Sequence, residues 1–164
     1  MDRFALRHPR TIVPAVRAAL IVLAVLAGLI VADPVPRAAH AAACTGSTGV
    51  TVIVDFTAFG GGVTTACALG DPASGVTALT GAGFTVTGTQ RWGLAFVCRI
   101  NNLPAPAAQA CINTPPSSAY WSYWHATPGG TWAYSSSGAS SYNPAPGTVE
   151  GWAFGSGGAP SVAP

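Results

Sequence analysis

From Cys44 to the C-terminus the chain holds one histidine, His125, and five charged side chains, Asp55, Asp71, Glu150, Arg91 and Arg99, with no lysine anywhere in its 164 residues. Hydrolytic catalysis needs a nucleophile, a base and a group that orients the base. No G-x-S-x-G, H-E-x-x-H or G-x-x-x-x-G-K-S/T pattern occurs, and Gly60 to Gly62 lacks the spacing of a dinucleotide loop, so it reads as a turn. His125, next to Pro128-Gly129-Gly130, reads as a strand-end surface residue. Asp55 stands in an apolar run, where a carboxylate must be satisfied by turn amides or by Arg91 or Arg99. Glu150, between Val149 and Gly151, has the same status. Asp55 and Glu150 form a glycosidase pair only if the fold brings them together, which nothing in their spacing requires. The expectation is a non-enzyme with no resident metal.

Binding chemistry is better represented. Trp121, Tyr123, Trp124, Trp132, Tyr134, Tyr142 and Trp152 crowd the last third of the chain. A core of this size rarely buries seven such residues with every N–H and O–H satisfied, and Trp and Tyr are enriched at recognition surfaces. Trp121, Tyr123, Trp124, His125, Trp132 and Tyr134 are therefore the candidate ligand-binding set. In an extended segment Trp121, Tyr123 and His125 share one face, and Tyr120, Ser122 and Trp124 share the other. One face must pack on the core; the other is covered by neighbouring structure or is free for a ligand.

Cys44, Cys67, Cys98 and Cys111 allow three disulfide pairings, and an even count in an exported chain favours disulfides over zinc, since no C-x-x-C spacing exists. The sequential pairing, Cys44 with Cys67 and Cys98 with Cys111, is favoured because neither loop crosses a long stretch of sheet. Export itself is read from the N-terminus. Arg3, Arg7, Arg10 and Arg17 precede an apolar run from Ala18 to Ala32 and an Ala-rich stretch ending at Ala43, the order of a secretory signal peptide over residues 1–43. The mature start falls at Ala42 or Cys44, and membrane contact is expected only through the leader if it stays uncleaved. Five of the seven arginines lie in the first 37 residues, so the remainder carries a net charge of −1 and no nucleic-acid footprint.

Val50 to Phe56 reads as a strand, Gly60 to Gly62 as a turn, and Gly75 to Ala82 as the one short helix, with Ser74 as N-cap and Gly83 as stop. Phe84 to Thr87 and Leu94 to Ile100 read as strands, and Asn101 to Asn113 as a stapled loop. Tyr120 to His125 and Thr131 to Tyr134 form a hairpin across Pro128-Gly129-Gly130, and Thr148 to Phe154 a last strand. Gly155 to Pro164, a Gly/Ser/Pro/Ala stretch, is expected to be a disordered tail.

The order of TVIVDF, the Ser74–Phe84 helix, FVCRIN at 96–101, YWSYW at 120–124, GASSY at 138–142 and PGTVEGWAF at 146–154 resembles the small C-terminal domain of transcobalamin and intrinsic factor and its stand-alone bacterial relatives. The resemblance implies an α+β fold, a small mainly antiparallel or mixed β-sheet with one short helix, here disulfide-stapled, over a single domain at residues 44–154. It also implies a corrinoid or similar cofactor as candidate ligand, captured for an uptake system, with a membrane transporter component as partner. The composition is similar to that of high-GC actinobacterial secreted proteins. The alternative is a cell-envelope domain that uses the aromatic face on protein or glycan.

Overall fold

The computed structural model describes residues 42–164. All but the last two residues of the expected leader lie outside the described residues. The fold is α+β, with β1 (Gly49–Asp55), a 3-10 turn (Thr57–Phe59), β2 (Val63–Leu69), the short helix α1 (Gly75–Gly81), β3 (Val86–Thr89), β4 (Gly93–Ile100), β5 (Tyr120–Ala126), β6 (Ala133–Tyr134) and β7 (Val149–Gly155). Five strands form a mixed sheet in the order β2-β1-β7-β5-β6, and β3 and β4 form a separate two-stranded sheet. All pairs are antiparallel except β1 with β7, whose parallel register sets Val52 beside Glu150 and Val54 beside Trp152.

The two-residue side-chain period of a strand gives the five-stranded sheet two distinct faces. On one, Val50, Val52 and Val54 of β1 meet Ala66 and Ala68 of β2, Trp152 of β7, and Trp121 and Tyr123 of β5, all buried in the main core. Helix α1 contributes Val76, Ala78 and Leu79 to this core, and the β3–β4 sheet contributes Val97 and Ile100. The helix begins where the sequence places it. Ser74 accepts from the Thr77 amide at 3.1 Å while Thr77 Oγ1 accepts from the Ser74 amide at 2.8 Å, a capping box with Thr in the usual Glu position. Gly83, at φ +91°, then takes the left-handed turn that ends it.

The second face is buried too, and what buries it corrects the sequence reading of residues 155–164 as a disordered tail. Thr51, Ile53, Asp55, Ser122 and Ala153 of this face are each less than 8 % exposed, and the segment bonds directly to Asp55 and Ser122. Ser122 Oγ hydrogen-bonds Gly158 O at 2.9 Å, the Ser161 amide donates to Asp55 Oδ2 at 2.7 Å, Trp132 Nε1 donates to Val162 O at 2.8 Å, and the Gly129 amide donates to Pro164 O at 2.8 Å. The apolar side chains of the segment are small, Ala159, Pro160, Val162, Ala163 and Pro164, so hydropathy misses it. Its order comes from backbone groups paired with polar side chains of the sheet. Gly151 makes the seat possible, since a Cβ there would stand 2.6 Å from the Trp132 ring and 2.9 Å from Pro160.

The disulfides join Cys44 to Cys67, with Cα atoms 4.8 Å apart, and Cys98 to Cys111, 5.8 Å apart, the sequential pairing. They fit an extracytoplasmic compartment. No described helix is long and apolar enough to cross a membrane. Strand β2, which the sequence reading does not anticipate, carries Cys67 and is tied by it to the segment ahead of β1.

Candidate functional site: an aromatic groove between β4 and β5

Strand β6 pairs with β5 only at Trp124 and His125, so the Tyr120–Tyr123 half of β5 has no strand beside it opposite β7. After the Ser135 amide donates to Tyr123 O at 2.9 Å, the chain leaves the sheet. Ser135 Oγ then donates to Ser137 O at 2.8 Å, which tightens the turn, and Gly138 passes close to Ala95 O of β4. The space left between β4 and β5 is a groove of about 300 Å³. Leu94 to Val97 form one wall, Ser135 to Ala139 the other, and Trp121, Tyr123 and Trp152 the floor, with Tyr120 and Tyr134 at the rim. No charged side chain lines it.

Two of the three floor residues are hydrogen-bonded from behind, while the buried Trp152 Nε1 has no partner. Trp121 Nε1 donates to Leu103 O at 3.0 Å, and its ring meets Phe154 edge-on at 5.5 Å. Tyr123 lies 4.7 Å from Trp152, centroid to centroid, and its hydroxyl donates to Glu150 Oε2. Glu150 is wholly buried, its Oε1 has no hydrogen-bond partner, and burial pushes its carboxyl up to about 7 although the Tyr123 hydrogen bond opposes the rise. Burial, then the Glu150 charge and hydrogen bond, raise the Tyr123 hydroxyl as well. Directly across from Glu150 in the β5–β7 register stands His125, whose ring stacks on Tyr142 at 4.4 Å. At the rim, the Tyr120 and Tyr134 hydroxyls are 3.2 Å apart, and that hydrogen bond, with burial, pushes Tyr134 up to about 12.

Of the six residues proposed from sequence as ligand-binding, the groove brings together Trp121, Tyr123 and Tyr134. The other three are elsewhere. Trp124 and Trp132 belong to the second face: Trp124 Nε1 donates to Ser122 Oγ at 3.0 Å, and Trp132 is spent on Gly151 and the 155–164 segment. His125 is half-buried against Tyr142 rather than a surface strand end. The groove residues that sequence reasoning missed are Leu94 to Val97 and Ser135 to Ala139, for which no motif existed; only the serine run at 135–137 hinted at a hydroxyl-rich edge.

The two carboxylates do not form a pair. Asp55 pairs with Ala153 in the β1–β7 register and Val52 with Glu150, which sets Asp55 and Glu150 on opposite faces of the sheet. Asp55 is satisfied by the following turn, as its sequence context suggested: Oδ1 accepts from the Thr57 amide at 2.9 Å and from Thr57 Oγ1 at 2.6 Å. Burial would raise its carboxyl, yet the hydrogen bonds from Ser161 and Thr57 outweigh that and hold it at about 2. No group of three or more metal-ligating side chains occurs among the described residues.

A family model described as SCO2322-like domain matches residues 113–162, a span that takes in β5, β6, the groove's serine wall, β7 and the segment that covers the second face. No curated protein and no solved structure matches the chain.

Proposed function

We propose that this chain is an exported, non-enzymatic binding module whose ligand site is the β4–β5 groove, and that it captures a corrinoid or similar cofactor for an uptake system. The observation that supports this reading is the groove itself: an uncharged aromatic floor held rigid from behind and flanked by serines, a surface suited to a neutral, planar or amide-bearing ligand. A groove of about 300 Å³ stands at the small end of small-molecule sites, so it takes one edge or side group of a macrocycle and leaves the rest outside. The resemblance to the transcobalamin C-terminal domain belongs to the same proposal, as does a transporter component as the downstream partner.

The serine run Ser135–Ser137 on one wall of the groove favours a second reading, an envelope domain that grips a glycan. Calorimetric titration with cyanocobalamin, cobinamide, haem and a muropeptide separates the two. Leu94→Ser and Tyr134→Ala change groove residues that are 45 % and 52 % exposed, so they leave the core intact. The expected result is saturable binding of one corrinoid, weakened at least tenfold by either substitution at unchanged melting temperature. Binding of the muropeptide alone transfers the site to the glycan reading. Binding weaker than about 1 mM throughout, or binding indifferent to both substitutions, overturns the groove as the site.

A further inference from the structure

The six residues from Gln90 to Ala95, which form the β3–β4 turn and the start of β4, are all exposed. Trp92 is 51 % exposed, Leu94 45 % and, from a neighbouring loop, Ile112 52 %. These are three of the most exposed large apolar side chains in the described domain, and hydrogen bonds hold the turn that carries Trp92 and Leu94 beside the loop that carries Ile112. The Gln90 amide donates to Cys111 O at 2.7 Å, the Arg91 amide to Ile112 O at 3.1 Å, and Trp92 Nε1 to Thr114 Oγ1 at 3.1 Å. The Cys98–Cys111 disulfide anchors the same loop to β4, and Cys111 holds a left-handed φ of +57°, a conformation a non-glycine residue adopts at a cost. The chain is thus pinned in a form that presents apolar groups to solvent.

Charge on this tip is of one sign. Arg91 lies 4.9 Å from the centroid of the Trp92 ring. Arg99, the other arginine of the described residues, is engaged, donating to Pro104 O at 3.0 Å and to Gln109 O. The acidic groups belong to other elements: Asp55 and Glu150 are buried in the five-stranded sheet, and Asp71 follows β2. An exposed, hydrogen-bonded cluster of tryptophan, two aliphatics and one free arginine, without a carboxylate, has the composition that settles at a lipid headgroup boundary.

We infer that the β3–β4 turn is a membrane-docking tip, seating Trp92, Leu94 and Ile112 in the interfacial layer of an anionic lipid bilayer with Arg91 among the headgroups. A protein partner suits it less well, because a stable protein interface takes about 800 Å² from each side and this patch is one turn and a loop. The groove wall begins at Leu94, and Ala95 and Phe96 line both the groove and the hollow beside Trp92. Docking therefore brings the groove's mouth to the membrane surface. The inference goes beyond the groove's ligand and does not depend on it.

The protein as secreted is mixed with vesicles of phosphatidylcholine alone and of phosphatidylcholine with 30 % phosphatidylglycerol, each with and without brominated acyl chains. Tryptophan emission is expected to be quenched by brominated lipid, with partition about fivefold stronger on the anionic vesicles, the contribution of one cation near a charged surface. Arg91→Gln removes that preference and leaves zwitterionic partition unchanged. Trp92→Ala lowers partition roughly tenfold by removing the largest inserted side chain. Trp92→Leu keeps the protein on sedimenting vesicles but abolishes the quenching, which assigns the inserted indole and separates the tip from any retained leader. Absence of quenching at every lipid concentration overturns the inference and leaves the patch to a protein partner. Full quenching in Trp92→Leu overturns it equally, because another tryptophan would then be the one inserted.

Discussion

Glu150→Gln tests the energetics beneath the groove. Glu150 is wholly buried, with the Tyr123 hydroxyl as donor to one oxygen and no partner for the other. The titratable groups that face it are Tyr123 and His125 of β5 and Tyr142 of the loop that leads to β7; β1 offers only Val52 beside it. Burial raises its folded value from the ordinary 4.5 to about 7, so between those values the native state binds more protons than the unfolded chain. The associated stability is fully present below the unfolded value and is lost as pH rises through the folded one. At about 1.4 kcal/mol per pH unit the full loss is about 3 kcal/mol, a sizeable share of a small domain's stability. Urea unfolding from pH 4.5 to 8.5 should show the wild type losing this amount while Glu150→Gln stays nearly flat and becomes the more stable protein at the alkaline end. A wild-type stability that is level or rising between pH 5 and 8 refutes the reasoning, and so does a Gln variant that keeps the wild-type slope.

Asp55 behaves with the opposite sign. Its folded carboxyl, held at about 2, adds stability above its ordinary value of 3.8 that disappears as pH falls through about 2, so Asp55→Asn should cost about 2 kcal/mol at pH 7 and speed hydrogen exchange at the Ser161 amide. Gly151→Ala places a methyl group against Trp132 and Pro160 and should destabilise by about 1 to 3 kcal/mol, with the 155–164 segment made protease-sensitive first. Trp121→Ala and Trp152→Ala, which empty core positions, should each cost about 3 to 5 kcal/mol in urea unfolding, whereas Trp92→Ala should cost under about 0.5 kcal/mol.

Where local chemistry decides structure, the sequence was legible. The β-branched run before Phe56, the Ser74 cap, the Gly83 stop and the Pro-Gly-Gly turn each act within a few residues, and all appear in place. So does the sequential disulfide pairing. Two kinds of feature were hidden. Strand β2 is V-T-T-A-C-A-L, too weakly alternating to announce itself, and it is fixed by its pairing with β1 and by Cys67. The parallel meeting of β1 with β7 joins residues about a hundred positions apart, a partnership no local signal encodes.

The aromatic cluster shows why residue type locates a site only coarsely. Alternation correctly divides β5 into two faces, yet both faces are buried, one by α1 and the β3–β4 sheet and the other by a segment whose composition promises disorder. Trp132 is therefore used to seat that segment, and Trp124 is taken up by Ser122 and Tyr134. The groove opens at neither face but at the edge of β5, where β6 ends after two residues and the chain turns away towards β4. An opening of that kind is set by where a strand stops, and it recruits residues such as Ala95 and Gly138 that carry no chemical signature of their own. Aromatic side chains furnish the floor of this site, but the short reach of β6 is what leaves it uncovered.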